Sequence, residues 1–333
     1  MTNPTETAPD HTVQPLHVVL GGSGAAGSAL VRELARQGRR VRAVSRRPLA
    51  ALPSGAEWMP ADVNDPASVA AVTQGADIVY HAAQPEYTRW AQDFPAMNRA
   101  VIEGVLRSGA KLVFADNLYM YGPVDGPIRE TSAQHPRGKK GRVRLDLARQ
   151  LLAAHGAGRL RVVIARSSDY YGPGVQGSIV GEALFKAVAA GKRAPLIGSA
   201  DQPHSFTFVD DLARALILLG EHPEAAGQVW HIPAAEPLTG RAFTRLIAEQ
   251  AGVPARPPLV LPPLATRAAG LAVPLLREMA DILDQFTAPF VIDGDRFAQT
   301  YRFTPTPHRE AITHTLSWLR AHVPTRPTSS VPA

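Results

Sequence analysis

The feature that most limits what this chain can fold into lies near its start. Leu16-His17-Val18-Val19-Leu20 is a short apolar run that passes directly into Gly21-Gly22-Ser23-Gly24-Ala25-Ala26-Gly27. Such a run reads as a buried strand. Beyond it, Ala29, Leu30, Val31, Leu34 and Ala35 mark one face of a helix over Ser28 to Gln37, closed by Gly38. Glycines 21, 24 and 27 have the spacing G-x-x-G-x-x-G, and in a strand–turn–helix each has its own task. Gly21 permits the tight turn, Gly24 lets a pyrophosphate approach the backbone, and Gly27 lets the helix pack closely on the strand. The helix N-terminus then offers free N–H groups and the positive end of its dipole. The pattern predicts a dinucleotide held by Gly21, Ser23, Gly24, Ala25, Ala26 and Gly27.

The alternation continues. Strands are expected at Val41 to Val44, Trp58-Met59, Ala76 to Tyr80, Lys111 to Phe114 and Leu160 to Ala165. Helices are expected at Ala67 to Thr73, Met97 to Arg107 and Arg144 to Ala154. Strands alternating with helices of about ten residues mean an α/β fold, a doubly wound parallel sheet of the Rossmann type. After Tyr171, Pro and Gly interrupt the pattern, and Pro254 to Pro263 carries five prolines. The expected organisation is a flexible arm over 1–14 and a dinucleotide-binding domain over 15–171, to which 202–232 returns. A smaller substrate lobe over 172–201 and 233–323 and a disordered tail over 324–333 complete it.

The end of the second strand selects the dinucleotide. An NAD site wants an acidic residue there for the ribose 2′-hydroxyl. The place falls on Ser45, followed by Arg46 and Arg47, and guanidinium groups suit a 2′-phosphate. NADP(H) is expected in preference to NAD(H).

Composition removes other classes. With no Cys, disulfides, thiolate metal sites and a cysteine nucleophile are excluded. The net charge is +6, but the cations are scattered rather than gathered into the stripe that nucleic acid needs. No apolar run approaches the roughly 20 residues of a bilayer span, and Met1 to Asp10 lacks the basic start of a signal peptide, so a cytoplasmic protein is the expectation. H-E-x-x-H, G-x-S-x-G and the Lys-Ser/Thr ending of a P-loop are all absent, which leaves no metal ligand set, hydrolase elbow or ATPase loop.

Further motifs follow in order. These are Ala61-Asp62-Val63, His81-Ala82-Ala83, Tyr121-Gly122, Arg166 to Gly174 (RSSDYYGPG), Phe206 to Asp211 (FTFVDD) and Phe303-Thr304-Pro305-Thr306-Pro307. Over roughly residues 15–322 the chain resembles an extended short-chain dehydrogenase/reductase of the NAD-dependent epimerase/dehydratase family. The resemblance implies that Asp62 and Val63 hold the adenine and that His81, Ala82 and Ala83 line the nicotinamide side. It also implies oxidoreductase activity on a small-molecule substrate, and a homodimer as in many relatives.

The family's chemistry uses a Ser/Thr with a Tyr and Lys in Y-x-x-x-K. Here Asn117 falls at the Ser/Thr place, Lys140 at the Tyr place and Arg144 at the Lys place. No Tyr occurs between Tyr121 and Tyr170. Three readings follow. The site is rebuilt, with Asn117 donating to the reacting oxygen, Arg144 holding the ribose, and Lys140 or Tyr119 moving the proton. Lys139, Arg142 and Arg144 beside Lys140 would disfavour its charged form. Alternatively, the protein is a cofactor-binding sensor or scaffold without catalysis, or a simple reductase whose proton comes from water or substrate.

Nucleotide-sugar members of the family place an Asn where this chain has Asp169, and an Arg where it has His204. A carboxylate repels a diphosphate, so the expected substrate is a small carbonyl or hydroxyl compound without that handle. Asp169 paired to a nearby Arg, and His204 as a structural histidine, are the simpler accounts of the two residues.

Overall fold

The computed structural model describes residues 14–49 and 51–322. The expected arm and tail fall outside them, Gln14 excepted. The chain runs β1 (Leu16–Leu20), α1 (Ala25–Arg36), β2 (Arg40–Ser45), β3 (Ala56–Pro60), α2 (Pro66–Thr73), β4 (Ile78–His81), α3 (Trp90–Leu106), β5 (Lys111–Asp116), α4 (Lys139–Gly156) and β6 (Val162–Arg166). With the strand Val229–His231 these form a seven-stranded sheet in the order β3-β2-β1-β4-β5-β6-(229–231). Every pairing is parallel. The winding direction reverses between β1 and β4, and a crevice opens at the carboxyl ends of strands at such a point.

The strands are apolar almost throughout because both faces are covered. On one face α1 and the helix Val209–Glu221 bury Leu30, Leu34, Leu212 and Leu216 against Val19, Val113 and Val163. On the other α2, α3 and α4 bury Val69, Val101 and Leu151 against Val18, Val79 and Val162. Helix α3 begins seven residues before the expected Met97. Its Pro95 lies inside the helix, where its missing N–H costs one hydrogen bond. Trp90 and Phe94, one turn apart, bury together there with ring centroids 5.5 Å apart.

Two motifs are tied by one carboxylate. Asp211 accepts from the Thr306 N–H and hydroxyl, each at 2.7 Å, so FTFVDD anchors the segment before the last helix. The irregular region contains parallel strands at Pro195–Ile197 and Leu259–Leu261, and helices at Pro263–Ala269 and Pro274–Ala280. Among the described residues, no helix is long and apolar enough to cross a membrane, and no group of acidic or histidine side chains could hold a metal ion.

Candidate active site

A cavity of about 1440 Å³ opens over the carboxyl ends of β1, β2, β4 and β5. Single-ligand pockets run to about 300–1,000 Å³, so this one has room for a dinucleotide and a substrate together.

The glycine turn forms its floor. Gly21 and Gly22 donate to the Val44 carbonyl at 3.0 and 2.9 Å, which sews the turn to β2. Gly21 has φ +87°, and a Cβ there would meet the Ala83 nitrogen at 2.6 Å. On Gly27 a Cβ would lie 2.1 Å from the Gly21 oxygen, so Gly27 serves helix packing and does not line the cavity. Gly24, at the N-cap of α1, has ordinary extended angles, and a Cβ would meet nothing nearer than the Gly21 oxygen at 3.3 Å. Its open side faces the cavity, together with Gly21, Ser23, Ala25 and Ala26. No side chain caps α1 and no acidic residue stands in its first turn. The cradle therefore fits a pyrophosphate without a competing carboxylate.

At the end of β2 the cavity is lined by Ser45 and Arg46 but not by Arg47. The Ser45 hydroxyl donates to the Arg47 carbonyl at 2.6 Å and accepts from the Trp58 indole at 3.1 Å, fixing this corner. Arg46 is exposed. Asp62 and Val63 line the adjoining wall, with Asp62 accepting from the Asn64 N–H at 3.0 Å.

Ala82 and Ala83 line the cavity where β4 ends, but His81 does not. Its ring is sealed against Phe94 and Phe114, neither nitrogen has a partner, and burial with Arg144 nearby lowers its pKa to about 3. The expectation that the His81 side chain faces the nicotinamide is thus replaced by a neutral core histidine.

Arg144, Asn117 and Tyr119 converge on this cavity. Arg144 is buried, stacked 4.3 Å above Trp90, and donates to Asp116 and Gln84 at 3.4 Å each. Its Nε has no partner. Asp116 also accepts from Arg166 at 3.1 Å, and Arg166 donates to the Tyr121 hydroxyl at 2.7 Å. Asn117 spends its carbonyl on the Tyr119 N–H at 3.1 Å, so its amide group is left for donation. Tyr119 stacks on Trp90, and its pKa is raised by burial and by Tyr87 and Asp169, against a lowering pull from Arg144.

Lys140 is placed elsewhere. It does not line the cavity; its ammonium sits behind Tyr87, donating to the Tyr87 carbonyl and pairing with Glu278 at 2.6 Å. The crowd of like charges expected around it is answered by a carboxylate 138 residues away in sequence. Asp169 lines the cavity and His204 lies behind it, bonded to it at 3.0 Å and stacked between Phe206 and Phe286. The partner of Asp169 is thus His204, not an arginine. Sequence reasoning passed over Tyr87, Trp90 and Gln84, yet they lie on the loop and helix leaving the carboxyl end of β4, the general place for ligand contacts in such sheets.

The model of the NAD dependent epimerase/dehydratase family matches residues 17–232. An uncharacterized protein y4nG of Sinorhizobium fredii is 28% identical over 243 residues, 70% of this chain and 60% of that protein, so the chain spans less than two thirds of that relative. The dTDP-6-deoxy-L-talose 4-dehydrogenase (NAD(P)(+)) of Kitasatospora kifunensis is 28% identical over 265 residues, 74% of this chain and 82% of that protein. Among solved structures, MoeE5 in complex with UDP-glucuronic acid and NAD superposes with a TM-score of 0.74 at 24% identity, over 92% of this chain and 99% of that one. Fold, glycine turn and family model agree: the chain belongs to the NAD dependent epimerase/dehydratase family.

Proposed function

We propose that this protein is an NAD(P)-dependent oxidoreductase that works on a carbonyl or hydroxyl compound with a rebuilt proton-handling set. When bound, the dinucleotide supplies hydride exchange with the substrate carbon. The protein is left to orient the partners, exclude water and manage the proton at oxygen. The single observation that carries this reading is the convergence of Asn117, Tyr119 and Arg144 on the cavity that the glycine turn floors.

Gly21, Ser23, Gly24, Ala25 and Ala26 hold the pyrophosphate, while Asp62 and Val63 flank the adenine. Arg144, which lines the cavity beside Gln84, holds the ribose. The Asn117 amide polarises the substrate oxygen, and Tyr119 gives or takes its proton. Arg144 favours the tyrosinate as it forms, the task that the family assigns to its lysine. Burial acts the other way and keeps Tyr119 protonated at rest, which suits a proton donor. Arg46, beside a serine instead of a carboxylate, favours NADP(H).

The test is NADPH oxidation over a panel of ketones, aldehydes and dTDP-sugars, the last taken from the name of the Kitasatospora relative. Tyr119→Phe should lower turnover by about a hundred-fold or more with NADP⁺ binding retained, while Lys140→Met leaves substantial turnover. The reverse pattern would return the proton to Lys140. Tight cofactor binding with no turnover on any member would favour the non-catalytic sensor, which the absence of the family's Tyr at position 140 supports.

A further inference from the structure

Beyond the glycine turn and Arg144, the cavity changes character. Its far wall is built by the paired strands Pro195–Ile197 and Leu259–Leu261 and by the helix Pro274–Ala280. Leu196, Leu259, Leu261, Leu276, Met279 and Phe286 face it. From residues 172–201 and 233–322, the only polar side chains on the wall are Gln176 and Ser178, and among the described residues no Lys or Arg of these segments lines it. Leu259 and Leu275 keep 57% and 53% exposure, so the wall is apolar surface held open to water. Uncovered apolar surface of this kind marks a place for an apolar partner.

The charges around the rest of the cavity point the same way. Three arginines line it against five carboxylates, Asp62, Glu86, Asp93, Asp116 and Asp169. Arg89 is paired with Asp93 at 2.6 Å and Arg144 with Asp116, while Arg46 stands at the far end beside β2. A second diphosphate would find no uncommitted guanidinium and would approach Asp169, whereas recognition of phosphate rests on such groups.

We infer that the wall formed by these segments binds a neutral, largely hydrocarbon alcohol or ketone, cyclic or prenyl-like, with one oxygen directed at Asn117 and Tyr119. The inference rests on the reading that the glycine-turn half holds the dinucleotide, and it names the substrate class for that site.

The experiment is calorimetric titration of the full chain, with and without saturating NADP⁺, using cyclohexanol, menthol and dTDP. Each buried carbon adds roughly 0.8 kcal/mol, a factor of three to four. Menthol should therefore bind at least about ten-fold tighter than cyclohexanol. It should also bind tighter than dTDP, and Leu275→Asp should weaken it several-fold while NADP⁺ binds as before. Leu275 is exposed enough that the substitution leaves folding intact. Equal affinity for the two alcohols, or dTDP binding in the micromolar range ahead of menthol, overturns the inference. Menthol binding that persists where NADP⁺ fails to bind supports the apolar wall and rejects the cofactor reading instead, so the two failures are told apart.

Discussion

Replacing Asp116 by Asn should be among the most damaging single changes available to this fold. Asp116 is buried at the carboxyl end of β5, between Arg144 and Arg166, whose side chains are 5% and 1% exposed. One carboxylate faces two guanidinium groups. The contact to Arg166 at 3.1 Å is a sound charge-assisted hydrogen bond, whereas that to Arg144 at 3.4 Å lies at the outer edge of the range. Asn keeps the shape and removes the charge, leaving Arg166 in a closed interior and Arg144 at the cavity wall, both without their carboxylate. Breaking a buried pair in this way costs about 3–5 kcal/mol, a large share of a total stability of about 5–15 kcal/mol. Urea unfolding of wild type and Asp116→Asn reads the loss directly. A second arm adds Arg166→Met. If the penalty is the stranded charge, the double variant should recover part of it, with a coupling of about 1.5 kcal/mol or more. A loss below about 1 kcal/mol, or a coupling near zero, would refute the argument that this trio is an electrostatic unit.

Stability should also fall as the solution is acidified. Burial lowers the pKa of His17 to about 4 and of His81 and His231 to about 3, with Arg39, Arg144 and Arg166 respectively adding to the effect. Below the ordinary value of 6.5 the unfolded chain takes up protons that the fold refuses, so the contribution is fully present above pH 6.5. It is lost progressively as pH falls toward about 4 for His17 and about 3 for His81 and His231, at up to about 1.4 kcal/mol per pH unit for each histidine. Urea midpoints at pH 7.5 and 5.5 check this, and His81→Phe should flatten the dependence by about a third; a midpoint unchanged between the two pH values contradicts it. Arg46→Ala should weaken NADP⁺ by about ten-fold or more, as expected for one charge-assisted contact, while NAD⁺ binds as before. An equal effect on both would remove Arg46 from the 2′-phosphate.

The fold was legible in the sequence because its signals are local. An apolar pentad, a glycine turn and an amphipathic helix repeat one unit, and that unit permits few topologies. The glycine positions were legible for the same reason, since each is forced by backbone geometry within a few residues. The catalytic side was only partly legible. Asn117, Tyr119 and Arg144 reach the cavity, as counting along β5 and α4 suggested. Lys140 does not, because its surroundings are set by Glu278 and Tyr87, brought in by segments far away in the chain. The same holds for Asp169, whose partner His204 belongs to a short strand without a periodic signal. The apolar wall was the least visible part. Its strands are three residues long and its helices start at prolines, so punctuation that reads as loop conceals a continuous hydrophobic surface.

The most direct test of the central claim, that the glycine turn holds a nicotinamide dinucleotide, is calorimetry of NADP⁺ and NAD⁺ with wild type and Gly24→Val. Gly24 has φ −76° and ψ 168°, angles open to any residue, and it lines the cavity; a Cβ there would meet only the Gly21 oxygen, at 3.3 Å, which a shift of a few tenths of an ångström relieves, so the variant should fold and yet crowd the pyrophosphate. The account predicts binding to wild type, NADP⁺ the tighter, and a loss of about a hundred-fold in Gly24→Val at unchanged thermal stability, about 2.7 kcal/mol. Equal affinity in wild type and variant, or no binding of either dinucleotide to wild type, would contradict it.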